Sequence, residues 1–206
     1  MRARTSVGEI LVSGPDRDWL FRPSLAAMEN LGAPIEIVEL FAFLNTPHKI
    51  NPVWPEDAYR SWERKMLGLS YDVLAACCDD DCTALIGHAG SRYGSYVPGL
   101  MSVKDMHPLA LCLLKHGLVG TDPIKAGSPK KGDYKPGFDA KAFVAQAVAH
   151  LGMSSTEAWN MTMTEFTAAM KAKFGEPENK TPTLEEHDEG MARLAAINRL
   201  RDKGKK

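Results

Sequence analysis

The stretch from Met106 to His116 constrains this chain more than any other. Leu109, Ala110, Leu111, Cys112, Leu113 and Leu114 follow one another without a polar interruption. A helix built from them is apolar nearly all round, so it belongs in the interior with other elements packed about it. Asp105 is placed to cap its start, Pro108 falls in its first turn, and Gly117 closes it. The rest of the chain has to supply the shell.

The 206 residues hold enough apolar material for that shell. The hydrophobic fraction is 44%, too high for a disordered chain. Lys and Arg total 25 against 26 for Asp and Glu, a net charge of −1, which argues against a surface built to grip nucleic acid. No apolar run approaches the roughly 18 residues that span a bilayer. No signal-length apolar stretch follows Met1-Arg-Ala-Arg-Thr-Ser, so an intracellular protein without membrane contact is expected. Its four cysteines, Cys77, Cys78, Cys82 and Cys112, are expected to be reduced thiols.

Read in order, the chain begins as a hairpin. Val7–Val12 and Asp18–Arg22 are strand-like runs joined by Ser13-Gly-Pro-Asp-Arg17. Ser24 caps a helix over Leu25–Leu31 that stops at Gly32. Pro34 starts a helix to Leu44, with Ile37, Val38, Phe41 and Leu44 as its apolar stripe. Asn45–Trp54 reads as loop. A long helix runs from Pro55 to about Cys78, with Tyr59, Trp62, Met66, Leu69, Val73 and Ala76 near helical spacing. Asp79-Asp80-Asp81 ends it, and Asp81 caps a short turn into Gly87.

Past the central helix, Thr121–Gly137 is rich in proline, glycine and lysine and reads as a linker. Asp139 caps a helix to Leu151, one face being Phe143, Val144, Ala147, Val148 and Leu151. Two capping boxes follow in tandem, Ser154-Ser-Thr-Glu157 and Thr162-Met-Thr-Glu165, each pairing amide donors at a helix start. Phe166, Met170 and Phe174 form the stripe of the last helix, which Gly175 ends. Thr183–Arg201 has sparse apolar anchors. From Arg193 on, six basic residues face Asp202 alone, and this tail is expected to fray.

The expected fold is α+β and mainly α-helical. A small N-terminal β-hairpin is followed by a multi-helix bundle and a small C-terminal helical unit. The expected divisions are 1–120, hairpin plus helical core; 121–137, flexible linker; 138–175, C-terminal helical module; and 176–206, a polar, partly disordered tail.

The residues offer few signs of catalysis. Cys77, Cys78, Cys82 and His88 lie close together in sequence, but adjacent cysteines diverge by about 100° on a helix, unlike a paired CxxC zinc site. A thiolate nucleophile at Cys77 or Cys78 would need a base, and nothing in the sequence selects His88 or His116 for it. No phosphate-binding or nucleophile-elbow motif occurs. No cofactor and no bound metal are expected. Trp159, Phe166, Met170 and Phe174 either pack as core on the helix of Phe143 and Val148 or, with Met163, are candidate anchors for a partner in the helix-in-groove manner.

Phe138–Gly175 resembles the C-terminal helical module of phage tail assembly chaperones. The matching residues are Leu151-Gly-Met-Ser154, Glu157-Ala-Trp159, Met161-Thr-Met-Thr-Glu-Phe166 and Met170. Over most of residues 8–175 the chain also resembles a phage-encoded family from tailed-phage structural gene clusters. That likeness rests on Gly8-Glu-Ile10, Phe21-Arg-Pro-Ser-Leu-Ala-Ala-Met28, Cys78–Asp81, Tyr96-Val-Pro-Gly-Leu-Met101 and His116–Gly120. The resemblance implies a non-enzymatic chaperone or morphogenesis factor in the host cytoplasm. Its partners would be the tape-measure protein, the tail-tube protein and further copies of itself, with no role for nucleic acid. The alternative is a structural virion component, a tail or head-tail connector subunit. The second alternative is a zinc- or thiol-dependent enzyme.

Overall fold

A computed structural model describes the backbone of residues 2–4 and the whole of residues 7–46, 55–91, 95–120 and 137–175. Most of the expected 45–54 loop, the 121–137 linker except Gly137, and the whole 176–206 tail lie outside the described residues. Residues 1–173 form one compact unit; of a second, from Phe174 on, only Phe174 and Gly175 are described.

The N-terminal sheet has three antiparallel strands in the order β1 (Arg2–Arg4), β2 (Glu9–Ser13) and β3 (Asp18–Phe21). The sequence reading expected only the last two, because Arg2-Ala-Arg4 has no apolar alternation. The β2–β3 turn is tight, with Gly14 N–H donating to the Arg17 carbonyl at 2.9 Å. Register puts Ile10 opposite Phe21 and Val12 opposite Trp19, and these four side chains face the core. Leu11 and Leu20 form the outer pair.

Five helices and a second, two-stranded ladder follow. Ser24 caps α1 (Leu25–Glu29), its hydroxyl accepting from Ala27 N–H at 3.1 Å. Next come α2 (Pro34–Asn45), α3 (Glu56–Ala76) and the single turn α4 (Thr83–Ile86). In α2 the buried stripe is Ile37, Leu40 and Leu44, while Val38 is turned outward. In α3 the deepest positions are Ser70, Val73 and Leu74, and the first turns stay exposed. The short strands β4 (His88–Ala89) and β5 (Tyr96–Val97) pair across a Gly-rich stretch that the sequence left unassigned.

The central helix α5 runs from Val103 to Leu114 and continues as a π turn over Lys115–Val119. Its cap is Ser102, not Asp105, which moves the start forward and places Pro108 inside the helix. Pro108 is on the exposed side, where the carbonyl deprived of an N–H partner can reach water. Met106, Leu109, Ala110, Leu113 and Leu114 are buried, as an all-round apolar helix requires. Gly117 does not end it. A Cβ there would come within 2.6 Å of Met28 Sδ, so this glycine allows close packing, and Gly120 at φ +83° ends the helix instead. α3 packs along α5, and α2 packs against both.

The C-terminal helices are α6 (Ala140–Gln146), with its own π turn over Ala147–Leu151, α7 (Ser155–Asn160) and α8 (Met163–Phe174). α1 packs on α6 and α7. Residues 138–173 therefore share one compact unit and one core with the N-terminal half, although the sequence suggested a separate module. Mainly α with a small β part is the observed class. None of the described helices is long and apolar enough to cross a membrane.

Candidate functional site

The expected anchor residues do not form one exposed surface. Phe166 is 3% exposed and meets the Phe143 ring edge-on at 5.5 Å, and Phe143 stacks on Phe138 at 5.3 Å. Met163 is equally buried, because the Thr162 box turns the first turn of α8 into the core. Trp159 and Met170 are half-buried against that core. Phe174 alone of the five is largely exposed. Val148, expected on the inner face of its helix, points outward, because the π turn rotates the residues after Gln146.

The start of α8 is instead a polar junction. Thr162 N–H donates to Glu165 Oε2 at 2.8 Å, and Glu165 N–H donates to Thr162 Oγ1 at 3.1 Å, closing the second capping box. The Thr162 hydroxyl also donates to the Val7 carbonyl at 2.7 Å. Arg22 joins the two regions: its guanidinium donates to Glu9, to Glu165 at 2.8 Å and to the Asn160 carbonyl at 2.8 Å. His116, in the first π turn, has Nδ1 2.9 Å from Thr164 Oγ1. Burial holds its imidazole below the ordinary histidine pKa. Sequence reading found the box but none of the long-range bonds.

The most suitable surface for a partner is an apolar groove of about 680 Å³ between the β2–β3 turn and α5. Ile10 and Val12 of β2 and Leu109 of α5 form its floor, and Leu100, 60% exposed, stands on its rim. Asp105 is the only charged side chain among the lining residues. Leu100 and Met101 line it from the segment Pro98-Gly-Leu-Met101, and only the folded chain brings that segment beside β2. A larger hollow of about 920 Å³ beside α3 is lined by Trp62, Met66, Leu67 and Val103 together with charged groups such as Asp57, Arg60, Glu63 and Lys104.

The clustered cysteines separate. Cys77 is fully buried, and desolvation drives its thiol pKa upward. Cys78 and Cys82 are both buried at the two ends of the acidic turn, where hydrogen bonding between them outweighs burial and the charges of Asp80 and Asp79 in setting the Cys78 thiol. That bond lowers the Cys78 pKa to about 7 and raises that of Cys82. His88 lies apart and exposed on β4. Among the described residues, no three His, Cys, Asp or Glu side chains converge as a metal site. The acidic turn has its own partners: Asp81 Oδ1 accepts from Thr83 N–H at 2.9 Å and from its hydroxyl at 2.7 Å.

No curated protein and no solved structure matches this chain. The sequence model of the family of unknown function DUF6246 matches residues 21–189, and the chain belongs to that family.

Proposed function

We propose that the protein is a bacteriophage tail assembly chaperone or morphogenesis factor. It binds the helical tape-measure protein, tail-tube subunits or both in the host cytoplasm, and it needs no cofactor and catalyses no reaction. The groove between the β2–β3 turn and α5 carries this reading. Its floor of Ile10, Val12 and Leu109 suits the apolar stripe of an amphipathic helix. Asp105 offers one carboxylate to a cation on the same client. The likeness of residues 138–175 to tail assembly chaperones supports the same role.

The test is quantitative mass spectrometry of purified phage particles beside a tagged pull-down from the same infected culture. Absence from particles, with recovery of a long helical partner, is the expected result. Leu100→Glu changes an exposed rim residue and should cut that recovery at least about tenfold, equivalent to about 1.4 kcal/mol, while leaving the melting temperature unchanged. Undiminished recovery would remove the groove from the reading.

One observation favours a structural virion subunit as the second reading. β1 lies at the edge of its sheet, with β2 as its only neighbour among the described strands. Such an edge can extend into a neighbouring subunit. Stoichiometric presence in purified particles would establish that role over the chaperone.

A further inference from the structure

We propose that the groove beside α5 selects an amphipathic helix that bears an arginine one turn away from its apolar anchors. This rests on the reading of that groove as the client's seat, and it adds the client chemistry that the seat favours. On the groove side of α5 stand Asp105, Pro108, Leu109 and Cys112, a single stripe at helical spacing. The N-terminal end of the stripe is charged and the remainder is apolar. Asp105 and Leu109 lie about 6 Å apart along the helix axis. A helix laid along α5 therefore meets the carboxylate and the apolar floor with side chains about three or four residues apart.

Asp105 is free to receive a cation. Ser102 takes the N-cap, its hydroxyl accepting from Lys104 N–H at 3.3 Å, so the Asp105 carboxylate is not used in capping. It is exposed and holds no hydrogen bond or ion pair with any described residue. Lys104, with Val103 and His107, lines the other hollow, so its ammonium does not neutralise Asp105 inside the groove. Pro108 adds a second acceptor. It has no N–H for the Lys104 carbonyl one turn earlier, and that oxygen is left without its helical donor. A guanidinium carries several N–H donors in one plane and can serve a carboxylate and a carbonyl together, whereas an ammonium is a compact point charge. A client with an acidic side chain at that place would set two carboxylates against each other.

The experiment measures, by fluorescence anisotropy, the affinity of the full chain for labelled synthetic amphipathic helices of about 20 residues, long enough to populate the helix. The peptides share one leucine stripe and differ at one position, a turn beyond its last leucine, which is arginine, lysine or glutamate. The arginine peptide should bind at least about tenfold tighter than the glutamate peptide, with lysine between them. Asp105→Asn should shrink that ratio below about threefold, and Asp105→Arg should reverse it, with the wild-type circular dichroism spectrum retained in both. Cys112 reports occupancy of the groove, because it lines the groove and is only half-buried, whereas Cys77, Cys78 and Cys82 are buried. The bound arginine peptide should slow iodoacetamide labelling of Cys112 at least about fivefold. Equal affinities with Cys112 protected would overturn the arginine preference while leaving the groove as the seat. An arginine preference with Cys112 unprotected would place the contact elsewhere and overturn the proposal. Binding of none of the peptides would overturn it as well, and would count against the groove itself.

Discussion

α8 meets the π turn that continues α5, yet the two helices are held in different ways. α5 is buried along its length through Met106, Leu109, Ala110, Leu113 and Leu114. α8 buries only its beginning, at Met163, Thr164 and Phe166, and its end is exposed. Burial places most of α5, because no orientation of an apolar cylinder in water suits it better than the interior, and one side-chain bond, between His107 Nε2 and the Leu44 carbonyl at 2.9 Å, ties it to α2. α8 has too narrow an apolar face for that. Its direction is set by Thr162, Glu165 and Arg22, and by the bond from Thr164 to His116 at the end of α5. Hydrophobic contact fixes position, and polar bonds fix orientation.

The largest expected effect tests whether Phe166 belongs with α5 in the core or with a partner surface. Phe166→Ala should destabilise the fold by about 3–5 kcal/mol, read as a lower urea midpoint, since it empties space against Phe143. A stable variant that loses a binding partner would return Phe166 to the surface. Arg22→Ala comes next. It removes the guanidinium shared by Glu9, Glu165 and the Asn160 carbonyl, and about 2–4 kcal/mol should be lost. The lower part of that range is favoured because the Arg22 side chain is 29% exposed. An unchanged urea midpoint would mean that burial orients α8 as it does α5.

The smallest effect is a pH dependence at the contact between the two helices. Burial lowers the His116 pKa, so the fold holds the neutral imidazole and the unfolded chain takes up the proton first as pH falls. The stability this contributes is complete above the ordinary histidine value of about 6.5 and is lost as pH falls through that value toward the folded one. Urea midpoints of wild type and His116→Asn should therefore converge on acidification from pH 7 to pH 5. Parallel curves would show that the histidine titrates alike in both states.

The same contrast explains what could be read from the sequence. The two capping boxes were legible because each joins residues three apart, and Ser24 and Asp139 were legible for the same reason. The burial of α5 followed from composition. Its start did not, because Ser102 and Asp105 are both capable caps and only packing decides between them. Gly117 looked like a stop because its close contact with Met28 joins distant segments. The groove was hidden for that reason too, since β2 and α5 build it together. The cysteine cluster was visible, but its division into one buried thiol and one mutual pair depends on how the turn folds.

The Arg22–Glu165 pair also has a consequence in time. The partners are 143 residues apart in sequence. At about 5–20 residues per second, a ribosome takes about 7–30 s to make the chain between them. For that interval the N-terminal sheet exists without the helix that completes its polar junction. Contacts of such long range also slow folding once the chain is released. The β2–β3 hairpin, made well before its partner helix, is thus among the last segments to be secured and is where a nascent chain of this protein is most open to mispairing.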